Sequence, residues 1–266
     1  GFPCVQGVIT SGVGPSGVTI SGCTVDGWAA DAFDVKGDGW VVEDNYLTDL
    51  MSFKFVSFSG SNHIIRRNLV LNVGNVLHYS PAELDTVVHP ASIGWYDYVT
   101  TVMAGFTTSG GNHQNILVEQ NWIQNVENQI GRVDDELPGA FDIRYNRNVF
   151  VGVSSPFSGG RDAMKWTSNT FYRCAFDTGA HALAIGGRAP AQAGYEVTGN
   201  LFVSCGPKGA SQTLTRGFYS ISDNATTPVT DANFVASEEV TGYAAKTNFT
   251  ELNGVNSGDP VFYHAA

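Results

Sequence analysis

The sequence predicts an all-β solenoid, a parallel β-helix, on the basis of a repeat, a periodicity and a composition. Seven times along the chain an Asn or Cys recurs with apolar residues at fixed positions, five and three before it and two and five after it. Apolar residues two positions apart have the spacing of a strand, in which alternate side chains share one face. Gly, Asn, Ser and Thr supply turns, while Val, Ile, Phe, Tyr and Trp suit strands. Short strands in a repeating unit of this size predict stacked coils.

The polar members of the repeat mark one corner of each coil. They are Cys23, Asn45, Asn68, Asn121, Asn148, Asn169 and Asn200, which we call the anchors. Because a single coil cannot bury its own apolar side chains, we expect the apolar columns to face inward and to stack from coil to coil. Asn suits such a corner because it tolerates left-handed backbone and because its amide can bond to backbone groups and to the next Asn.

A third strand precedes several of the repeating units. Its apolar residues are Phe33 and Val35, Val56 and Phe58, and Leu183 and Ile185. His63 is the one member of the apolar columns that is not apolar, and we expect it to occupy a stacked position. After Asn200 the anchor pattern is lost. The sequence therefore predicts a single domain over 1–266, with regular coils over about 15–205 and with the last coils and a C-terminal cap or tail over 206–266.

Several segments have the appearance of coils from a known group of proteins. "GVTISGCTVDGW", "GWVVEDNYLTDL", "AMKWTSNTFYRC" and "GYEVTGNLFVSC", together with the ending "SGDPVFYHAA", resemble the right-handed parallel β-helix proteins of the pectate lyase-like superfamily. The resemblance implies a single-stranded, right-handed solenoid of about eight coils with a long loop insertion near 75–100. It does not specify one activity, because lyases, glycoside hydrolases, epimerases, phage spikes and non-catalytic stacking proteins share this fold.

Charge and hydropathy restrict the partners. The chain of 266 residues has 14 Lys and Arg against 25 Asp and Glu, a net charge of −11, which argues against nucleic acid as a partner. No apolar run is long enough for a membrane span. An acidic protein that binds an acidic glycan needs a local basic patch or a bridging Ca²⁺. The chain starts at Gly and shows no signal peptide, so we expect a processed or trimmed secreted chain with an extracellular location.

The longest interruption of the repeat, residues 75–100, carries aromatic and polar side chains together. Within it, His78, Tyr79, His89, Trp95, Tyr96 and Tyr98 are the predicted substrate-binding residues. Loops of this length are uncommon in compact domains unless they have a function. In the resembled superfamily, long loops follow the third strand and wall the groove over the first sheet, where glycans lie. The alternative is that these aromatic residues pack on the side of the solenoid as a satellite core.

Three consecutive carboxylates, Asp134, Asp135 and Glu136, lie in a second interruption. Carboxylate oxygens are Ca²⁺ ligands, so one interpretation is a calcium site. The other interpretation is a solvated turn, because one short loop rarely supplies six or more ligands. The sequence leaves both open.

If the resemblance extends to polysaccharide lyases, cations are required. β-Elimination on a polyuronate needs the sugar carboxylate to be neutralised and a base to remove the C5 proton. The resemblance implies Lys or Arg in these roles, and the candidates are Arg132, Arg161, Lys165 and Arg188, with Tyr145 and His181 as other proton carriers. Lys165 lies between two inward residues, so its side chain should point outward. The alternative for each cation is an ordinary surface position.

Four cysteines are present. Cys174 and Cys205 occupy the same inward column in consecutive coils, at a backbone spacing of about 4.8 Å that permits a disulfide. The alternative is a pair of stacked, buried thiols. Cys4 and Cys23 are close enough in sequence to tie down the first coil.

Two functional hypotheses follow. The first is a secreted glycan-interacting protein, with polysaccharide lyase as the activity and an acidic polysaccharide as the substrate. The second is a non-catalytic structural or adhesive subunit that self-associates through open coil ends. The opening "GFPCVQGVITSG" favours the second hypothesis, since it lacks the apolar helical face that would plug the solenoid.

Overall fold

The structure is a computed structural model in which strands account for most of the described chain. It describes residues 15–27, 32–50, 55–73, 101–105, 113–126, 129–133, 141–153, 157–158, 164–174, 183–185, 192–193, 196–203, 205, 219–221, 225–226 and 229–236. Within these ranges the regular elements are all strands, and every pair of neighbouring strands is parallel.

The strands are short and number 25 in the described chain. In chain order they are β1 (Thr19–Ser21), β2 (Thr24–Asp26), β3 (Phe33–Lys36), β4 (Val41–Glu43), β5 (Tyr46–Leu50), β6 (Val56–Ser59), β7 (Ile64–Arg66), β8 (Leu69–Val73), β9 (Thr101–Gly105), β10 (His113–Glu119), β11 (Trp122–Val126), β12 (Gln129–Val133) and β13 (Phe141–Asn146). They continue as β14 (Val149–Val153), β15 (Phe157–Ser158), β16 (Met164–Thr167), β17 (Thr170–Tyr172), β18 (Leu183–Ile185), β19 (Gln192–Ala193), β20 (Glu196–Thr198), β21 (Leu201–Val203), β22 (Tyr219–Ile221), β23 (Ala225–Thr226), β24 (Val229–Asp231) and β25 (Phe234–Ala236).

Three stacked sheets organise these strands. The first sheet has the order β1-β4-β7-β10-β13-β16-β20-β24, the second β2-β5-β8-β11-β14-β17-β21-β25, and the third β15-β12-β9-β6-β3. Two further pairs, β18-β22 and β19-β23, are also parallel. Since strands that follow one another in the chain enter different sheets and each sheet pairs equivalent strands of successive coils, the arrangement is that of a parallel β-helix. The all-β, parallel solenoid predicted from the repeat is confirmed, and β3, β6 and β18 coincide with the predicted third strand.

The apolar columns of the repeat form the core. The column three residues before the anchors is buried throughout, in Ile20, Val42, Ile65, Val118, Tyr145, Trp166 and Val197. Aromatic residues in the column two after the anchors stack on one another, with ring centroids 4.8 Å apart between Phe171 and Phe202. This distance equals the spacing of neighbouring strands, about 4.8 Å, so equivalent rings lie in contact from coil to coil.

The anchors Asn45 to Asn200 form a continuous buried ladder. Asn148 shows the pattern: its Oδ1 accepts the backbone N–H and the side-chain N–H of Asn121, both at 3.0 Å. Its own amide nitrogen donates to the carbonyl oxygen of Val118 at 2.9 Å and to Oδ1 of Asn169 at 3.0 Å. Each interior Asn side chain thus satisfies four hydrogen bonds, which is why a polar residue is stable in the core.

The prediction that Asn occupies the corner because it tolerates left-handed backbone is wrong. The residue with left-handed φ, between 53° and 66°, is the one that precedes each anchor and also Asn233, which continues the series. These residues are Gly22, Asp44, Arg67, Gln120, Arg147, Ser168, Gly199 and Ala232, and all are exposed. Because their side chains lie in solvent, their chemical type is unrestricted. The anchor itself is selected by its buried amide, not by tolerance of left-handed backbone.

The ladder extends beyond the last anchor recognised in the sequence. Asn233 is fully buried, and its Oδ1 accepts the backbone and side-chain N–H groups of Asn200, both at 2.9 Å. The coil that contains β24 and β25 therefore has an anchor of its own, although none was recognised in the sequence after Asn200. This coil was not recognised in the sequence because Pro228 and Thr230 occupy the two positions before the anchor that are apolar in most earlier coils.

His63 occupies the inward column, as expected. Its side chain is 1% exposed, and Nδ1 accepts the backbone N–H of Trp40 at 3.3 Å. Its ring also makes an edge contact with Phe58, at a centroid distance of 6.2 Å. These contacts make it a stacked position.

Cys174 and Cys205 are buried thiols stacked in one column, without a disulfide between them. The Cys174 thiol donates to the Phe150 carbonyl at 3.4 Å, and the Cys205 thiol donates to the Phe171 carbonyl at 3.3 Å, one coil further on. Of the two alternatives, the structure has the stacked thiols. Cys23 is an exposed thiol, while Cys4 lies outside the described residues.

Burial, reinforced by the neighbouring Cys205 side chain, raises the pKa of the Cys174 thiol well above its ordinary value of 9.0. Above that value the unfolded chain releases the Cys174 proton while the folded chain keeps it. The free energy of unfolding should therefore fall as the pH rises, by at most about 1.4 kcal/mol per pH unit. Guanidinium unfolding of the wild type and of Cys174→Ala, from neutral pH to just below the ordinary Tyr pKa of about 10, checks this. The difference in free energy of unfolding between the wild type and Cys174→Ala should decrease as the pH rises. The same pH dependence in both proteins would contradict a raised pKa of Cys174.

Candidate functional site

The connections between strands differ in length from one corner of the solenoid to another. Every described connection from the first sheet to the second has two residues, a left-handed residue and an anchor. The connections that enter or leave the third sheet include much longer ones: 74–100 between β8 and β9, 106–112 between β9 and β10, 134–140 between β12 and β13, and 159–163 between β15 and β16. Variable, long segments therefore flank the third sheet on both edges, which makes it the candidate site.

One register column crosses the whole of the third sheet. In register across β3, β6, β9, β12 and β15 are Asp34, Ser57, Ala104, Arg132 and Ser158. The adjacent column begins with Phe33 and Val56, which are 3% and 0% exposed and face the core. Arg132 is the one cation in its column, among residues that are otherwise small or acidic.

Most of the predicted site residues are attached to this sheet. Asp134, Asp135 and Glu136 follow β12 directly, and Arg161 lies between β15 and β16. Arg188 follows β18, which lies next to β15. The predicted substrate-binding residues His78, Tyr79, His89, Trp95, Tyr96 and Tyr98 all belong to the connection that enters β9. Apart from Arg132, these residues lie outside the described part of the chain.

Parallel strands begin at one edge of a sheet and end at the other. The aromatic connection 74–100 enters β9 at the first edge, whereas Asp134 to Glu136 and Arg161 leave β12 and β15 at the opposite edge. Arg132 lies in β12, between these edges. The topology thus attaches aromatic, cationic and acidic segments to the strands of a single sheet.

Lys165 is not part of this arrangement. It lies on the outer face of the first sheet, where it is a register neighbour of Arg144 in β13 and of Glu196 in β20. Its Nζ is 3.8 Å from Glu196 Oε2, and the two side chains are 41% and 34% exposed. Solvent-exposed pairs of this kind contribute about 0–1 kcal/mol.

Arg144 was missed in the sequence, although a signal for it exists. It lies four residues before the anchor Asn148, as Lys165 lies four residues before Asn169. The guanidinium donates to the side-chain oxygen of Asn115, and its Nε is 3.8 Å from Asp142 Oδ1. The position four before the anchor therefore forms an outward column, which apolar periodicity does not reveal.

A second group of charged residues, on the first sheet and at its corner, forms ion pairs among its own members. Arg66 Nε lies 2.7 Å from Glu43 Oε2, while an amino group of Arg67 lies 2.8 Å from Glu43 Oε2 and 2.7 Å from Asp44 Oδ2. The hydrogen bond from Arg67 lowers the pKa of Asp44. Since the charges compensate one another, this group holds adjacent coils together and is a weak candidate for binding an anion.

Tyr145 cannot act as a surface proton carrier, which corrects that prediction. Its side chain is 1% exposed and stacks on Trp166 with ring centroids 3.8 Å apart. Burial raises the pKa of its hydroxyl. The residue belongs to the core column, as its position three before Asn148 indicates. His181 lies outside the described residues.

The chain matches no protein-family model, and no curated protein sequence matches it. In the described ranges, no group of three or more His, Cys, Asp or Glu side chains is arranged to hold a metal ion. Those ranges also contain no helix with the length and apolar character needed to span a membrane.

Proposed function

We propose that the chain is a secreted glycan-interacting protein of the right-handed parallel β-helix, pectate lyase-like superfamily. We further propose that it is a polysaccharide lyase that cleaves an acidic polysaccharide by β-elimination on the outer face of the third sheet. One observation supports the proposal. The long connections with aromatic, cationic and acidic residues all adjoin a strand of that sheet or β18, which lies next to β15. Long loops on a rigid scaffold are where binding and catalysis are commonly placed.

The chemistry assigns separate roles to the residues around this face. A cation neutralises the uronate carboxylate, which makes the C5 proton more acidic. A base removes that proton, the C4–O bond breaks, a C4–C5 double bond forms and the leaving oxygen takes up a proton. Arg132 is proposed to neutralise the carboxylate, since it belongs to a strand of the third sheet. Arg161 and Arg188, on the bordering connections, are the candidate bases.

Ca²⁺ is the other means of neutralising a carboxylate in this proposal. Asp134, Asp135 and Glu136 supply oxygen atoms, the ligand type that Ca²⁺ takes. They follow β12, the strand that contains Arg132, directly in the chain. A requirement for Ca²⁺ should therefore appear as activity that a chelator removes and added Ca²⁺ restores.

The decisive assay is incubation with pectate, alginate and glycosaminoglycans, with and without Ca²⁺, while the absorbance of the unsaturated product is recorded. Arg132→Ala should lower kcat/KM on the cleaved polymer by about a hundredfold or more, which is the cost of removing one transition-state charge partner. Arg67→Ala is the matched control, because it removes an exposed Arg at the corner after β7, away from the third sheet. Failure to release product from any polymer, or equal activity of Arg132→Ala and wild type, would overturn the lyase proposal.

A non-catalytic structural or adhesive subunit is the second candidate. It is favoured in its adhesive form by the outer face of the second sheet, where three exposed apolar residues form a column for contact with a binding partner. Assembly through the coil ends would involve residues outside the described ranges. Sedimentation over a range of concentrations distinguishes the candidates: ordered growth without product from any polymer supports the subunit, and a monomer that releases product excludes it.

A further inference from the structure

Exposed apolar residues are concentrated at one place on the solenoid. In the described part of the chain, three large hydrophobic side chains are exposed: Tyr46 by 39%, Leu69 by 38% and Trp122 by 44%. They are register partners in β5, β8 and β11, so they form one uninterrupted column on the outer face of the second sheet. Scattered exposed apolar residues are ordinary, but a contiguous set marks a binding surface.

Charges on the surrounding face lie toward its two ends in the described chain. Asp26 in β2 is the register partner of Thr48, Asp49 follows Thr48 in β5, and Arg173 follows Tyr172. From β5 to β17, the uncharged outward positions of the second sheet include Tyr46, Thr48, Leu69, Leu71, Trp122, Gln124, Val149, Val151, Thr170 and Tyr172. Over the same coils the first sheet presents Glu43, Arg66, Glu119, Arg144 and Lys165. In a protein with a net charge of −11, the uncharged centre of this strip favours an uncharged ligand.

The dimensions of the column restrict the kind of ligand. Neighbouring strands are about 4.8 Å apart, so Tyr46 and Trp122 are about 10 Å apart along the solenoid. The second outward column, with Leu71 and Gln124, lies about 7 Å away along the strands. A patch of about 10 Å by 7 Å is far below the roughly 800 Å² per partner of a stable protein interface, which argues against a second copy as the occupant. It has the width of one sugar chain and the length of its two-sugar repeat.

Polar groups beside the rings complete the match. The indole N–H of Trp122 donates to Oε1 of Gln124 at 3.1 Å, which fixes the orientation of both side chains. Because the Gln124 amide oxygen is the acceptor in this bond, its N–H₂ group is the part of the side chain that would donate to a ligand. Thr48, beside Tyr46, is also half-buried and polar. Sugars present apolar C–H faces and hydroxyl edges, so an aromatic ring with an adjacent amide satisfies both.

We propose that Tyr46, Leu69, Trp122 and Gln124 form a binding face for an uncharged, extended β-linked polysaccharide. The face is separate from the third sheet, and the inference does not rest on the lyase proposal. Bound there, a neutral polymer would hold the protein on a matrix while the third sheet remains accessible.

Affinity electrophoresis in native gels tests the proposal, with soluble mixed-linkage β-glucan, xyloglucan, galactomannan or hydroxyethyl cellulose as the probe. At least one polymer should retard the wild-type protein. Trp122→Ala should weaken the binding about tenfold, as expected for the loss of one central aromatic contact, and Trp122→Phe should restore part of it. Arg66→Ala on the first sheet is the control and should bind like the wild type, and unchanged circular dichroism establishes that each variant is folded.

Three results would overturn the inference. The first is no retardation by any neutral polymer, or equal retardation of Trp122→Ala. The second is a wild-type dimer that Trp122→Ala converts to a monomer, which would assign the face to self-association. The third is a large fall in Tm in Trp122→Ala without wild-type binding, which would show that another part of the chain covers the face. Neutral-polymer binding without product from acidic polymers would leave this inference intact and remove only the lyase proposal.

Discussion

Replacing Asn148 by Ala should destabilise the protein by about 4 kcal/mol or more, because it opens the ladder in its middle. Two N–H groups of Asn121 lose the oxygen that accepts them, and the Val118 carbonyl loses its donor. All three groups are buried in the stack, and each buried polar group left unpaired costs about 1–3 kcal/mol. The free energy of unfolding from guanidinium titration measures the effect.

Asn146→Ala is the matched control, two residues away in the same coil. Asn146 is half-buried on the outer face, where its Oδ1 accepts the Thr167 hydroxyl at 3.2 Å. Water can replace that partner, so a cost below about 1 kcal/mol is expected. Equal losses in the two variants would show that the ladder contributes no more than a surface hydrogen bond, contrary to its role as the polar spine of the core.

The inward columns could be predicted from the sequence because burial restricts them. A residue facing the core must be apolar, or must satisfy every polar atom as the anchors do, so the same chemistry recurs at the same spacing. The left-handed position before each anchor has no such restriction, which is why Asp44, Gln120 and Ala232 share one backbone conformation without a common side chain. Tolerance of left-handed backbone was the wrong explanation for Asn, because the buried hydrogen bonds of its side chain, and not a local backbone preference, select the residue at the anchor.

The outward columns were harder to predict for the same reason. Outward positions tolerate both charged and apolar side chains, as Arg144 and Leu117 in one column show. No repeat in the sequence therefore marks the charged face of the first sheet or the largely uncharged face of the second. Both faces became visible only through the strand register. The candidate site was only partly predictable: composition identified the aromatic, cationic and acidic segments, but only the topology attaches most of them to the third sheet and separates Lys165 from them.

Gly60→Ala should have the largest effect of any single substitution considered. Gly60 has φ +109°, and a Cβ built on it would lie 1.8 Å from the carbonyl oxygen of Gly37 in the preceding coil. That atom belongs to backbone, so no side-chain rotation relieves the overlap, and the coils must separate or the turn must change conformation. Either change disrupts the pairing of β3 with β6. A loss above about 4 kcal/mol is expected, or a failure to accumulate folded protein.

Gly22→Ala separates this clash from backbone strain. Gly22 also has positive φ, +66°, but no atom lies within 4 Å of a Cβ built there. Ala232 adopts the equivalent conformation at φ 53°, so the substitution should cost only about 1 kcal/mol for left-handed backbone. Guanidinium unfolding of the two variants, with hydrogen exchange of β3 and β6 as a local readout, gives the comparison. If both Ala variants lost the same stability, close approach of coils at Gly37 and Gly60 would not be the reason for glycine there, and the strain of positive φ alone would account for both positions.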